Sequence, residues 1–76
     1  MKPVPKPSYL DDFQVWRVSG GRKVWRNRAG DRYYTWDSQH GEIEVFNTRG
    51  AHLGVLHAIT GQVIKPPVKG RRLNVD

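Results

Sequence analysis

The sequence predicts a mainly β protein, one small domain built on a single antiparallel sheet of about five strands. Three observations point there. Glycine recurs about every ten residues, at Gly20-Gly21, Gly30, Gly41, Gly50 and Gly61, and short segments between regular turn signals read as a β-meander. No proline falls between Phe13 and Lys65, which suits strands that must donate ladder hydrogen bonds. The segments between the glycines are rich in β-branched and aromatic residues, and none carries an apolar stripe of helical period long enough for a substantial helix.

Taken in order, residues 1–7 alternate proline with other residues and are expected to form an extended, solvated arm, leaving 8–76 as the folded domain. Ser8 is placed to cap a short helical turn over residues 9–13, with Asp11 and Asp12 where the helix dipole favours acids. Strands are expected at 22–27, 32–37, 42–47, 52–57 and 62–65, with 13–18 either a further strand or irregular chain. Gly54, inside one of these segments, marks a bulge or a close backbone approach. The tail is basic, with Lys65, Lys69, Arg71 and Arg72 opposed only by Asp76.

Seventy-six residues lie near the size at which one core only just outweighs chain entropy. Hydrophobic content of 37% and charged content of 26% are globular rather than disordered. The absence of cysteine excludes disulfides and thiolate metal sites. Apolar runs are too short for membrane insertion, and the N-terminus lacks the apolar centre of a secretory leader. Thirteen Lys and Arg against seven Asp and Glu leave a charge of +6. That excess points to a polyanionic partner, either nucleic acid or an acidic protein.

Period-two alternation sorts the side chains of the central hairpin. If residues 38–41 close a regular turn, Asp37 faces Glu42 and Thr35 faces Glu44. Tyr34, Trp36, Ile43 and Val45 then form the buried side. Asp37, Glu42 and Glu44 gather on the other, with His40 at the turn above them. Three of the chain's seven acids thus meet on a basic protein, where like charges need cations or a shared proton. A solvated face paired with arginines and an acid/base site both fit this pattern. A divalent ion is a third option, but no second His has ligand-like spacing and the surrounding cations oppose it. No metal or other cofactor is expected.

Basic and aromatic residues interleave from Trp16 to Tyr34, the usual pairing in single-strand recognition. Arg26 and Arg32, with Lys65, Lys69 and Arg72 of the tail, are candidate phosphate contacts. Trp25 and Trp36 are expected in the core. Tyr33 and Phe46, on the carboxylate face, are candidates to touch a base, and Glu42 a candidate substrate contact. His52 and His57 read as structural or surface residues.

A basic groove holding carboxylates and a His suits cleavage of RNA by its own 2′-hydroxyl. Glu44 is the expected base and His40 the acid. Asp37 would orient and charge His40, and an arginine of the tail would bind the phosphate. DNA lacks the attacking group and is excluded as substrate. A non-catalytic RNA- or ribosome-binding module, or a small adaptor for an acidic protein, remains the alternative.

The run Tyr34-Thr-Trp-Asp-Ser-Gln-His-Gly-Glu-Ile-Glu44 resembles the ribonuclease domain of the E-group colicins and cloacin, whose motif reads Tyr-x-Trp-Asp-Ser-Gln-His-Gly-Glu-Leu-Glu. The likeness continues through Gly50-Ala-His-Leu-Gly54, Thr60-Gly61 and Lys65, covering roughly residues 23–73. It implies a highly twisted antiparallel sheet and a toxin that cuts small-subunit (16S) ribosomal RNA at the decoding A site. It implies an acidic immunity protein or antitoxin as partner, and a monomer that acts in the bacterial cytoplasm. Delivery from outside would be as the toxic part of a secreted bacteriocin or contact-dependent toxin. The family's catalytic aspartate, histidine and second glutamate fall on Asp37, His40 and Glu44. Its tail arginine falls on Arg71, with Arg72 the alternative where the sequence departs from the pattern around Pro66 and Pro67. Thr35 and Phe46 stand where the family commonly has an acid and a tyrosine.

Overall fold

Hydrogen bonds local to Ser8 start the fold in the computed structural model, which describes residues 1–76. The Ser8 hydroxyl accepts from the Leu10 amide at 3.1 Å, and the Ser8 amide donates to the Asp11 carboxylate at 2.9 Å. This reciprocal cap closes a single 3-10 turn, Tyr9–Asp12, in the place the sequence indicated. Leu10 points inward from it and is buried.

Six strands follow: β1 Gln14–Ser19, β2 Arg22–Arg26, β3 Tyr33–Asp37, β4 Glu42–Phe46, β5 His52–Leu56 and β6 Val63–Lys65. Each pairs antiparallel with the next, giving one open sheet in chain order. The five expected strands all form. Gln14–Ser19 is a sixth, because it runs the full length of β2 with a bulge that sets Trp16 out of register.

Both faces of the sheet are covered, by different parts of the chain. On one face Tyr34, Ile43, Val45 and Leu56 pack with Leu10, and Tyr9, Phe13 and Val4 close over them. Trp25 and Trp36 lie half-buried against this cluster rather than inside it. The other face holds Val24, Tyr33 and Phe46, sealed by Trp16 and by Leu73 and Val75 of the tail. Tyr33 and Phe46 do sit on the carboxylate side, but they are 8% and 4% exposed, so neither is available to stack on a base. Alternation told which side they face. It did not tell that the tail covers them.

The arm also differs from expectation. It has no regular structure and residues 1–3 are exposed, yet its backbone is tied to the sheet at Lys2. The Lys2 amide donates to the Ser38 carbonyl at 2.8 Å, and the Lys2 carbonyl accepts from the Trp36 indole N–H at 2.8 Å. An indole N–H at a half-buried position needs an acceptor, and the arm supplies it.

Gly50 lets the tail lie against the sheet. Its φ is +80°, its carbonyl accepts from the Leu73 amide at 2.8 Å, and a Cβ there would collide with the Leu73 carbonyl. Gly50→Ala is therefore expected to cost about 1–3 kcal/mol of stability through the left-handed backbone alone, before the collision is counted. Chemical denaturation checks this. The same substitution should also displace Arg71, which the tail carries.

Candidate active site

Asp37, the last residue of β3, organises the turn that follows. Its carbonyl accepts from the Gly41 amide at 2.7 Å. Its Oδ1 accepts from the amides of Gln39 and His40 at 3.0 and 3.2 Å, the local pattern that makes aspartate a turn former. Gly41, with φ +71°, completes the reversal. This leaves Oδ2 directed at the His40 ring, 2.6 Å from Nδ1. The aspartate that builds the turn thereby also fixes the imidazole, while Nε2 of the same ring is left for a substrate.

The hairpin register is the one that alternation required: Asp37 opposite Glu42, and Thr35 opposite Glu44. The crowded acids are compensated by cations from the far end of the chain. Lys65 Nζ lies 2.7 Å from Glu42 Oε1, and Arg71 Nη1 lies 2.7 Å from Glu44 Oε1. Glu44 is the more enclosed partner, its side chain 16% exposed against 44% for Arg71. Together Asp37, His40, Glu42, Glu44, Lys65 and Arg71 line a cleft of about 300 Å³. The largest concavity, about 450 Å³, lies between Trp25 and Trp36 and holds none of these groups.

Burial pushes the Asp37 carboxyl upward, but hydrogen bonds from the His40 ring and from the His40 and Gln39 amides outweigh it and hold the group below its ordinary 3.8. A carboxylate whose pKa falls on folding adds stability that is complete above the unfolded value and is lost as pH drops through the folded one. Asp37→Asn should therefore lower the melting temperature most near neutrality. Its deficit should shrink below about pH 4, where the native carboxylate too takes up its proton. Thermal melts of both proteins across that range check the sign.

Asp37, His40 and Glu42 also offer ligand atoms within 4.8 Å of one another. A divalent ion there would have to displace the short Asp37–His40 and Lys65–Glu42 contacts, so the donor set fits a proton-transfer cluster better than a metal centre.

Other expected contacts lie elsewhere. Arg72 turns away: its Nη2 donates to the Arg49 carbonyl at 2.6 Å, and its backbone bridges Ala51. Of the two tail arginines, Arg71 is the one in the cleft. Lys69 is exposed in the same tail segment, bordering an adjoining hollow with His52 and Arg71. Arg26 and Arg32 flank the opposite end of β3 from the Asp37 turn, where Arg32 Nη1 donates to the Asp31 carbonyl at 2.8 Å. They can touch only a substrate long enough to run the length of the strand.

One member of the site was not expected. His52 is buried, with Nε2 3.3 Å from Glu44 Oε1. The signal that could have found it is Gly54. The β4–β5 ladder slips between Val45 and Phe46, so that Phe46 pairs with His52 where an unbroken ladder would offer Leu53. The slip turns His52 onto the carboxylate face. Gly54 also meets the other reading, a close approach, since a Cβ there would lie 3.0 Å from the Lys65 carbonyl. His57 is structural, its Nδ1 accepting from the Ile59 and Thr60 amides.

A small open sheet bearing an acid–His–acid turn and a docked basic tail is matched as a whole by one family: residues 4–74 fit the model of the Cytotoxic family, and the chain belongs to it. The match begins at residue 4, so it takes in the last four residues of the arm, the 3-10 turn and β1, which the hairpin motif alone did not reach. Among curated relatives, colicin E3 of Escherichia coli is 42% identical over 55 residues, which is 71% of this chain and 10% of that protein. Colicin-E6 and cloacin, also of Escherichia coli, are 40% and 38% identical over the same length. The chain thus spans about a tenth of the length of the relatives it matches. The likeness drawn from residues 34–44, to the toxic domain of the E-group colicins and cloacin, holds.

Proposed function

We propose that this cytotoxic domain is an endoribonuclease that cuts small-subunit ribosomal RNA at the decoding A site and so stops translation. The observation that carries the reading is one cleft holding an Asp37–His40 pair and a Glu44–Arg71 pair on a protein of charge +6. Glu44 takes the proton of a ribose 2′-hydroxyl, and both of its observed contacts fall on Oε1, leaving Oε2 for that proton. The 2′-oxygen bonds to the adjacent phosphorus as the bond from phosphorus to the 5′-oxygen breaks. His40, held through Nδ1 by Asp37, gives its Nε2 proton to the departing 5′-oxygen. Arg71 moves its guanidinium from Glu44 to the phosphate and stabilises the charge that builds there. The products are a 2′,3′-cyclic phosphate and a 5′-hydroxyl, and no metal takes part. Lys65 and Lys69 add phosphate contacts from the tail, with Glu42 anchoring Lys65, while Arg72, held outside the cleft, adds only its charge to the basic surface.

The substrate is the ribosome in the bacterial cytoplasm, reached from outside as part of a bacteriocin-like toxin. An acidic immunity protein covers the basic domain in the producing cell. Primer extension on ribosomal RNA, after intact ribosomes are incubated with protein that has been stripped with EDTA and freed of the chelator, tests the reading. A single new stop in the decoding region and a cyclic phosphate at the cut end are expected. Unchanged RNA with retained ribosome binding would make the protein a binding module instead, and cutting that stripping abolishes and an added divalent ion restores would bring back a metal.

A further inference from the structure

His52 occupies a position that packing alone does not explain. Its side chain is wholly enclosed, with the ring edge-on to Phe46 at 5.3 Å. Nδ1 accepts from the Val68 amide at 2.9 Å. A neutral imidazole that accepts at Nδ1 carries its proton on Nε2. That Nε2–H is the one buried side-chain polar atom without a hydrogen-bond partner. It lies 3.3 Å from Glu44 Oε1, near enough to bond but out of line, and Arg71 holds that same oxygen at 2.7 Å. The main chain of His52 is tied to Arg71 as well, its amide donating to the Arg71 carbonyl at 3.2 Å.

A buried donor left without a partner is costly, and native structures rarely keep one unless another state uses it. Here that other state is built into the site. We infer that His52 is a positioning residue whose Nε2–H takes over Glu44 Oε1 when Arg71 leaves for the scissile phosphate. The inference rests on the ribonuclease reading above. In the free protein Arg71 holds the carboxylate. Once phosphate draws the guanidinium away, an unheld Glu44 would be free to rotate just when Oε2 must face the 2′-hydroxyl. From 3.3 Å, Nε2 and Oε1 need only close by a few tenths of an ångström and come into line, and the Val68 amide holds the other ring nitrogen meanwhile. After Oε2 has gained the proton, Oε1 is a neutral carbonyl oxygen that still accepts from Nε2–H, so the same contact serves before and after the transfer.

Two near-isosteres separate this role from simple packing. In His52→Asn the amide oxygen can replace Nδ1 toward Val68, but nothing reaches Glu44. In His52→Gln the amide nitrogen falls near Nε2 and can still donate to Glu44. The expected result is that His52→Asn lowers kcat on ribosomes about 10- to 100-fold with KM little changed, as for a misplaced reacting group, and that His52→Gln recovers most of the loss. Equal loss in both variants, or none in His52→Asn, would overturn the inference. A second measurement needs no catalysis. By ¹⁵N NMR His52 should be the Nε2–H tautomer, and in Arg71→Ala its Nε2 proton should move downfield as the bond to Glu44 shortens. An Nδ1–H tautomer, or a proton that does not move in Arg71→Ala, overturns the inference. Were the native protein to leave ribosomal RNA uncut, the ribonuclease reading would fall, while the resonance would still judge His52.

Discussion

Glu44→Gln is expected to lower ribosomal RNA cleavage by about 10²- to 10⁴-fold, the range that a positioned proton acceptor supplies. Glutamine keeps the shape of the side chain and an oxygen for Arg71 and His52, but it cannot take the 2′-hydroxyl proton. The loss should therefore fall on kcat, with ribosome binding retained. His40→Ala, which removes the donor to the 5′-oxygen, should fall in the same range. Because the two groups act in one proton-transfer step, the double variant should be scarcely worse than either alone. Single-turnover cleavage of intact ribosomes, followed by primer extension, measures all three. Full activity in Glu44→Gln would remove Glu44 from the mechanism, and losses that multiply would separate its step from that of His40.

Arg71→Ala is expected to lower kcat by about 10²- to 10³-fold, comparable to deleting one preorganised donor to a developing oxyanion. Arg71 holds Glu44 Oε1 in the free protein, and on the proposed mechanism it moves to phosphate during the reaction. Alanine abolishes both. Arg71→Lys keeps the charge for Glu44 but offers a point donor in place of the planar fork, so it should bind ribosomes normally and still turn over slowly. Arg72→Ala is the control. Its guanidinium is engaged with the Arg49 carbonyl outside the cleft, so the change should leave kcat nearly intact and lower only the salt dependence of ribosome binding, through the lost charge. An Arg72 variant slower in kcat than the Arg71 variant would reverse the assignment of the two arginines.

On the proposed mechanism the pair Arg71–Glu44 also explains how such a toxin keeps its catalytic base in check. While no phosphate is present, the cation sits on the base and their charges cancel. On that mechanism an incoming phosphate competes for the guanidinium, so the substrate itself frees the carboxylate that takes its 2′-hydroxyl proton. Lys65 on Glu42 is a second contact of the same kind, at the mouth of the cleft.

The hairpin was legible in the sequence because every constraint on it is local. A side-chain period of two, one turn of fixed length and glycine at its end decide that Asp37 meets Glu42, that Glu44 shares their face, and that His40 stands above them. The Ser8 cap and the strand order are legible for the same reason, since neighbours in sequence are neighbours in the sheet.

What lay beyond the sequence concerns contacts made across the chain. The covering of Tyr33 and Phe46 depends on where Leu73 and Val75 come to rest. The choice of Arg71 over Arg72 depends on which of two adjacent side chains the docked tail turns inward, and strand periodicity does not extend into an irregular tail. The arm's grip on Trp36 depends on an acceptor more than thirty residues away in sequence. His52 depends on a one-residue slip, which flips a side chain from one face to the other while leaving composition and pattern unchanged. By itself, then, the sequence determined the sheet, the acid–His–acid turn and the need for cations around it. Tertiary structure alone decided which cations arrive, what shields the aromatic residues and which buried donor lies beside Glu44, because those outcomes follow from long-range packing that no local period encodes.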